Sequence, residues 1–165
     1  MTHFNKTHPS VKNNGGRMDP RVLDDVAETL NRNGRNYTVF LQYTEVPLPG
    51  PVSKGTIMKA AFGIDAVIGE IREVEKASVW TEIRDNLLYE GDHGCGPAPQ
   101  TLRSTKLLGL LDVLKSEVGH LVDGASTIES FWLSEGDPAY RVYWDFGFLF
   151  TGREGARVLL GSSSD

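Results

Sequence analysis

The sequence predicts an α+β fold: an antiparallel sheet with a C-terminal three-stranded meander, and helices packed on one face. The first observation is the alternation of apolar and mixed side chains over residues 140–151, the two-residue period of a strand. The second is that turn-rich segments separate this run from further apolar runs at 128–134 and 157–161. The third is that segments with helical periodicity precede them. The residues on the apolar face of the alternating run are Tyr140, Val142, Trp144, Phe146, Phe148 and Phe150.

The segment before the first predicted strand is typical of a helix. Asp19 is placed to accept an early backbone N–H, and Pro20 is tolerated at the first helical position. Apolar residues at helical spacing predict a helix over about 20–32, and Asn33-Gly34 offers a left-handed stop. Residues 36–46, enriched in β-branched and aromatic side chains, predict a strand that ends at a proline-rich stretch.

The middle of the chain predicts further helices. Apolar residues follow helical spacing over 53–74, but Gly63 and Gly69 each cost about 1 kcal/mol relative to alanine inside a helix. Either that helix is closely packed at the glycines or part of the segment is extended. Residues 79–89 predict another helix, with short strands as the alternative. Residues 90–100 contain three glycines and two prolines and predict a loop, and 101–122 predicts the clearest helix.

Composition and charge limit the class of protein. The chain has 165 residues, of which 39% are hydrophobic and 24% charged, and we expect one domain at 18–165 after a flexible tail at 1–17. The tail is basic, leaving 14 basic against 22 acidic residues in the remainder, so that the body carries a formal charge of −8. An acidic body matches nucleic-acid phosphates poorly and suits a basic protein partner.

Targeting signals and disulfides are not expected. No apolar run approaches the roughly 20 residues that span a bilayer, and the N-terminus lacks the apolar stretch of a secretory signal. The single cysteine, Cys95, has no intrachain partner. We therefore expect a cytoplasmic protein without membrane contact.

Residues 92–97 form the most suggestive local segment for chemistry. Cys95 lies shortly before a predicted helix and would be a nucleophile with His93 as its base. However, residues two apart in a loop need not face each other, and the glycines and proline alone explain a turn. A metal site from His93, Cys95 and His120 is not supported by any paired ligand spacing, so we expect no metal and no cofactor. Phosphate-binding, dinucleotide-binding and serine-elbow motifs are absent from the sequence.

The second candidate site lies on the other face of the 140–151 strand. Arg141, Tyr143 and Asp145 form a row of charged and aromatic side chains, which suits a protein contact or a ligand groove. We therefore interpret the protein as a small acidic binding or inhibitor module, immunity-protein-like or antitoxin-like in general character, that contacts a basic protein partner. The alternative is a small-molecule enzyme that uses the Cys/His loop at 92–97.

Overall fold

A computed structural model, which describes residues 17–136 and 143–165, confirms the predicted fold class. The described residues form five helices and a single five-stranded antiparallel sheet with the strand order β1-β5-β4-β3-β2. The C-terminal meander β3-β4-β5 occupies the centre of the sheet, and β1 and β2 form its two edges. The elements are α1 (Arg21–Asn31), β1 (Thr38–Val46), α2 (Lys54–Phe62), β2 (Val67–Glu73), α3 (Lys76–Leu87), α4 (Pro99–Leu102), α5 (Thr105–Gly124), β3 (Thr127–Glu135), β4 (Asp145–Gly152) and β5 (Gly155–Ser164).

Both ends of α1 form as the sequence predicts. The Asp19 carboxylate accepts the backbone N–H of Arg21 at 3.0 Å, and Asn33 adopts a φ of 60°, in the left-handed region that terminates helices. The Asn31 side-chain amide then holds β1, because it donates to the Val39 carbonyl at 3.1 Å and accepts the Val39 N–H at 2.7 Å. This pair of bonds fixes the first strand against the first helix.

An aromatic column on the central strand forms the main core. The ring centroids of Trp144 and Phe146 are 5.8 Å apart, those of Phe146 and Phe148 6.1 Å, and those of Phe148 and Phe150 6.3 Å. All four side chains are buried, together with apolar residues of α1, α3 and α5, as the alternation predicts. Leu149 points to the opposite face and is also buried, so β4 is covered on both sides.

A smaller apolar layer covers the other face of the sheet. Ile57 and Met58 of α2 pack there with Phe131, Leu149 and Val158. Helix α2 connects the two edge strands, β1 and β2. The predicted layer of helices on one face corresponds to α1, α3 and α5. Helix α2 packs on the opposite face.

Of the two alternatives for residues 53–74, the structure confirms the second: the helical prediction holds for the first half, and the second half is extended. Gly63, with a φ of 101°, ends α2, and residues from Val67 onward pair with β3. The predicted helix over 101–122 is also divided, because the Ser104 hydroxyl accepts the Leu107 N–H at 3.1 Å and begins α5 anew. The helix predicted over 79–89 is present as α3, which begins at Lys76 and ends at Leu87. Among the described residues, no helix combines the length and apolar character needed to cross a membrane.

Trp144→Ala should lower the free energy of unfolding by about 3 to 5 kcal/mol, as the loss of a large buried side chain does. The indole Nε1 donates to the Tyr37 hydroxyl at 2.8 Å, so the substitution also removes a buried hydrogen bond. Urea unfolding would measure the loss. Trp132→Ala is the matched control, because Trp132 is 37% exposed and its removal should destabilise far less. Equal losses for the two variants would contradict the core role of Trp144.

Candidate functional site

The larger of two relevant cavities contains Cys95. It has a volume of about 730 Å³ and lies between the connection from α1 to β1 and the loop that leads into α4. This volume falls in the range of small-molecule sites. The lining residues are Asn33, Arg35, Glu90, Asp92, Gly94, Cys95, Gly96, Pro97, Ala98, Pro99, Gln100 and Thr101.

Backbone hydrogen bonds hold the Cys95 loop in place. Asp92 and Cys95 exchange two of them, at 2.9 and 3.0 Å, which leaves His93 and Gly94 at the tip of a tight turn. Gly94 has a φ of 75°, as the second central residue of such a turn requires. Arg35 and Gly96 exchange two further bonds at 2.9 Å and tie the loop to the connection after α1.

The glycines of the loop allow backbone segments to pack together. A Cβ atom on Gly91 would lie 2.4 Å from the Cys95 carbonyl oxygen, and one on Gly96 would lie 2.6 Å from the Gly91 Cα. Neither contact is sterically allowed. Positions 91 and 96 therefore accommodate only glycine, because two parts of the loop cross closely there. Of the three glycines in the loop, only Gly94 has open space around it.

The structure does not bring His93 and Cys95 together as a catalytic pair. The backbone N–H of His93 donates to the Asp92 carboxylate at 2.7 Å. His93 does not line the cavity that contains Cys95. Among the described residues, the His93 side chain forms no hydrogen bond with the thiol. The turn explains the separation, because its two ends face each other while His93 lies at the tip.

Cys95 lies close to Tyr143, a residue of the other predicted site, and affects its titration. A hydrogen bond with the Cys95 thiol is the main cause that raises the pKa of Tyr143 to about 12, with desolvation next. The Tyr143 hydroxyl also donates to the Asn36 carbonyl at 3.0 Å. Its ring lies 5.7 Å from that of Tyr37 and 5.8 Å from that of Tyr89, so the three tyrosine rings pack together.

Tyr143 and Asp145, the two described members of the expected row of Arg141, Tyr143 and Asp145, have different surroundings in the structure. Strand β4 begins only at Asp145, so Tyr143 precedes the strand and packs with the tyrosines. Arg141 lies outside the described residues. Asp145 lines a second, smaller cavity, which shares no residue with the first.

This second cavity, which we call the acidic cleft, lies next to the last paired residues of two neighbouring strands. Pairing between β3 and β4 ends at Ser130 and Phe148, whereas β3 continues to Glu135 beside β2. The cleft has a volume of about 140 Å³. Its lining residues are Glu70, Arg72, Glu82, Ser130, Phe131, Trp132, Asp145, Phe146 and Gly147.

One wall of the acidic cleft is an exposed indole. Trp132 lies over Gly69, because a Cβ atom at Gly69 would be 2.3 Å from the indole Cζ3. The pairing of β2 with β3 shifts register at this glycine. Trp132 remains 37% exposed. Because Gly69 on the edge strand has no side chain, the indole ring packs directly against it.

Carboxylates from three elements surround the indole. Glu70 pairs directly with Trp132 across the strands and so shares its sheet face, while α3 contributes Glu82 and β4 contributes Asp145. The pKa of Glu82 is raised, chiefly by desolvation; Arg72 lowers it and Asp145 raises it further. The cleft thus brings together three carboxylates from different elements, with Arg72 among its described lining residues.

The residues considered and rejected as metal ligands, His93, Cys95 and His120, form no metal-binding group in the described part of the chain. His120 is exposed on α5, and no group of three or more His, Cys, Asp or Glu side chains in the described part of the chain is arranged to hold a metal ion. The expectation of no metal and no cofactor stays a prediction.

Sequence reasoning missed Glu70, Glu82 and Trp132 as site residues. Glu70 lies in the extended half of the segment with helical spacing, and Glu82 resembled any acidic residue on a solvated helix face. The one available signal was Gly69, an unfavourable residue for the predicted helix. Comparison of the chain with protein-family models, curated proteins and solved structures gives no match. Function must therefore be argued from the geometry.

Cys95→Ala should bring the pKa of Tyr143 down from about 12 toward the ordinary value of about 10, because the hydrogen bond with the thiol is lost. Phenolate absorbance during an alkaline titration would measure the change, with circular dichroism to verify that the protein stays folded. Tyr143→Phe is the control and should remove the same titrating group. An identical titration of Cys95→Ala and the parent would disprove the contact.

Proposed function

We propose that the protein is a non-enzymatic binding module that contacts a basic protein partner and receives one of its lysine or arginine side chains in the acidic cleft. The observation that carries this proposal is the arrangement of one exposed indole and three carboxylates around a single small cavity. Two of the residues predicted from the sequence for a protein contact are described, and of these Asp145 lines the cleft and Tyr143 does not.

The chemistry of the lining suits a cationic side chain. The face of a tryptophan ring attracts ammonium and guanidinium groups, with about 0.5 to 1 kcal/mol at exposed sites. Carboxylates next to the ring supply charge-assisted hydrogen bonds. A volume of about 140 Å³ admits one side chain and excludes a folded segment. The cleft therefore fits the anchor residue of a larger interface.

The raised pKa of Glu82 supports the same occupant. Desolvation and the proximity of Asp145 both make the ionised carboxyl less favourable in the folded protein. A cation in the cleft would offset this penalty, since an opposite charge favours the ionised form. A bound cation would therefore lower the pKa of Glu82 toward its ordinary value.

The charge of the whole body supports association with a basic protein. A formal charge of −8 over residues 18–165 attracts basic surfaces over several ångströms and raises the association rate at low salt. The alternative, a small-molecule enzyme around Cys95, has a suitable cavity of about 730 Å³ but lacks the predicted base, because His93 does not line it. The binding module is better supported.

A blocked octapeptide that alternates arginine and threonine should bind the protein and shift the nuclear magnetic resonance signals of Trp132 and Gly69. Glu82→Gln should weaken its affinity about two- to fivefold, the effect of one partly exposed ion pair, and added salt should weaken it further. Asp112→Asn, an exposed charge change on α5, and Cys95→Ser are matched controls and should leave the affinity nearly unchanged.

Gly69→Ala sharpens this test, because it alters no charge but displaces the Trp132 ring, which packs against Gly69. It should weaken peptide binding as well. A peptide in which glutamate replaces arginine should not bind. If the arginine peptide leaves the cleft signals unchanged, or if Asp112→Asn and Glu82→Gln weaken binding equally, the cleft is not the binding site.

Peptide affinity should fall as the pH drops through the raised pKa of Glu82, because protonation removes the charge that the cation contacts. The contribution of Glu82 to the free energy of unfolding should instead rise as the pH drops. A carboxyl with a raised pKa in the folded state favours folding below its unfolded pKa and loses that contribution as the pH rises through the folded value. Glu82→Gln should therefore be at least as stable as the parent at neutral pH, by urea unfolding, while binding less pH-dependently. A clear loss of stability would indicate a structural role instead.

A further inference from the structure

The outer edge of β2 has no neighbouring strand in the described part of the chain. The strand lies at one end of the sheet, beside β3. Five of its residues are exposed, and only Ile68 and Ile71 are half-buried. Among residues 17–136 and 143–165, no strand pairs with this edge. Alternate amide groups of an edge strand point outward and are available to another chain.

The charges along this edge are mostly of one sign. Exposed carboxylates lie on β2 and beside both of its ends, at Asp65, Glu70, Glu73, Glu75 and Glu135, against the basic residues Arg72 and Lys76. Charged side chains on an edge usually prevent strand pairing. Here the predominance of negative charge disfavours neutral and acidic strands, including a second copy of this chain, and favours a cationic strand.

The edge is continuous with the acidic cleft. Glu70 and Arg72 lie opposite Trp132 and Ser130 in register, and all four line the cleft. In a strand added beside β2, every second side chain would lie on the same face of the sheet as these residues. A lysine or arginine at such a position is long enough to extend across Glu70 toward the indole.

We propose that an extended basic segment of the partner adds to the sheet as a sixth strand along β2, and that one of its cationic side chains enters the acidic cleft. This inference rests on the proposed function, to which it adds the conformation of the bound segment. Backbone hydrogen bonds along β2 supply affinity, and the cleft together with the edge carboxylates selects for positive charge.

Amide hydrogen exchange with the arginine–threonine octapeptide tests the inference. Outward amides within Val67–Glu73 should exchange at least tenfold more slowly with bound peptide, while those of β1, the opposite edge, should be unaffected. A version N-methylated at every residue keeps the charges but donates no backbone hydrogen bond, and it should bind at least tenfold more weakly.

The outcomes separate this inference from the proposed function. Peptide binding that shifts the cleft signals without protecting β2, or equal affinity of the methylated peptide, overturns strand addition and leaves the proposed function standing. The absence of any shift in the cleft overturns both. Protection of β2 that depends on protein concentration without peptide identifies a second copy as the occupant and also overturns the inference.

Discussion

The stack of aromatic rings that begins at Trp144 and continues along β4 is the contact on which the remaining structure depends. These rings lie on the middle strand of the sheet, so the helices α1, α3 and α5 must pack where the rings are. Leu149 on the opposite face requires a second cover, which α2 provides. Because the centre of the sheet is covered on both faces, solvent-accessible chemistry is displaced to the loops and to the edges.

The parts of the fold that sequence patterns predict are those in which local periodicity and tertiary burial agree. The alternation around Phe146 and Phe148 identifies the central strand, and the leucine stripe beginning at Leu107 identifies α5. The loop at Cys95 is also evident from its glycines and prolines. Its contact with Tyr143 could not be predicted, since the two residues are distant in sequence and meet only in the folded chain.

The acidic cleft lies beyond sequence reasoning for a related reason. Ile68 and Ile71 fit a helical stripe, and only their pairing with β3 makes them residues of a strand. The packing of the Trp132 ring on Gly69 depends on that pairing. When this segment is predicted as a helix, the site cannot be recognised. The end of the pairing between β3 and β4, next to which the cleft lies, leaves no local pattern in either strand. Sites built between elements require the tertiary structure.

The backbone bridge between Arg35 and Gly96 has a consequence for local unfolding. Its two hydrogen bonds join the connection after α1 to the Cys95 loop, although these two segments are far apart in the sequence. If one segment detaches, the other loses the same bonds, so the two should open as one cooperative unit. Access to the thiol is then governed by the stability of a joint unit, and substitutions near Arg35 would change it without contacting Cys95.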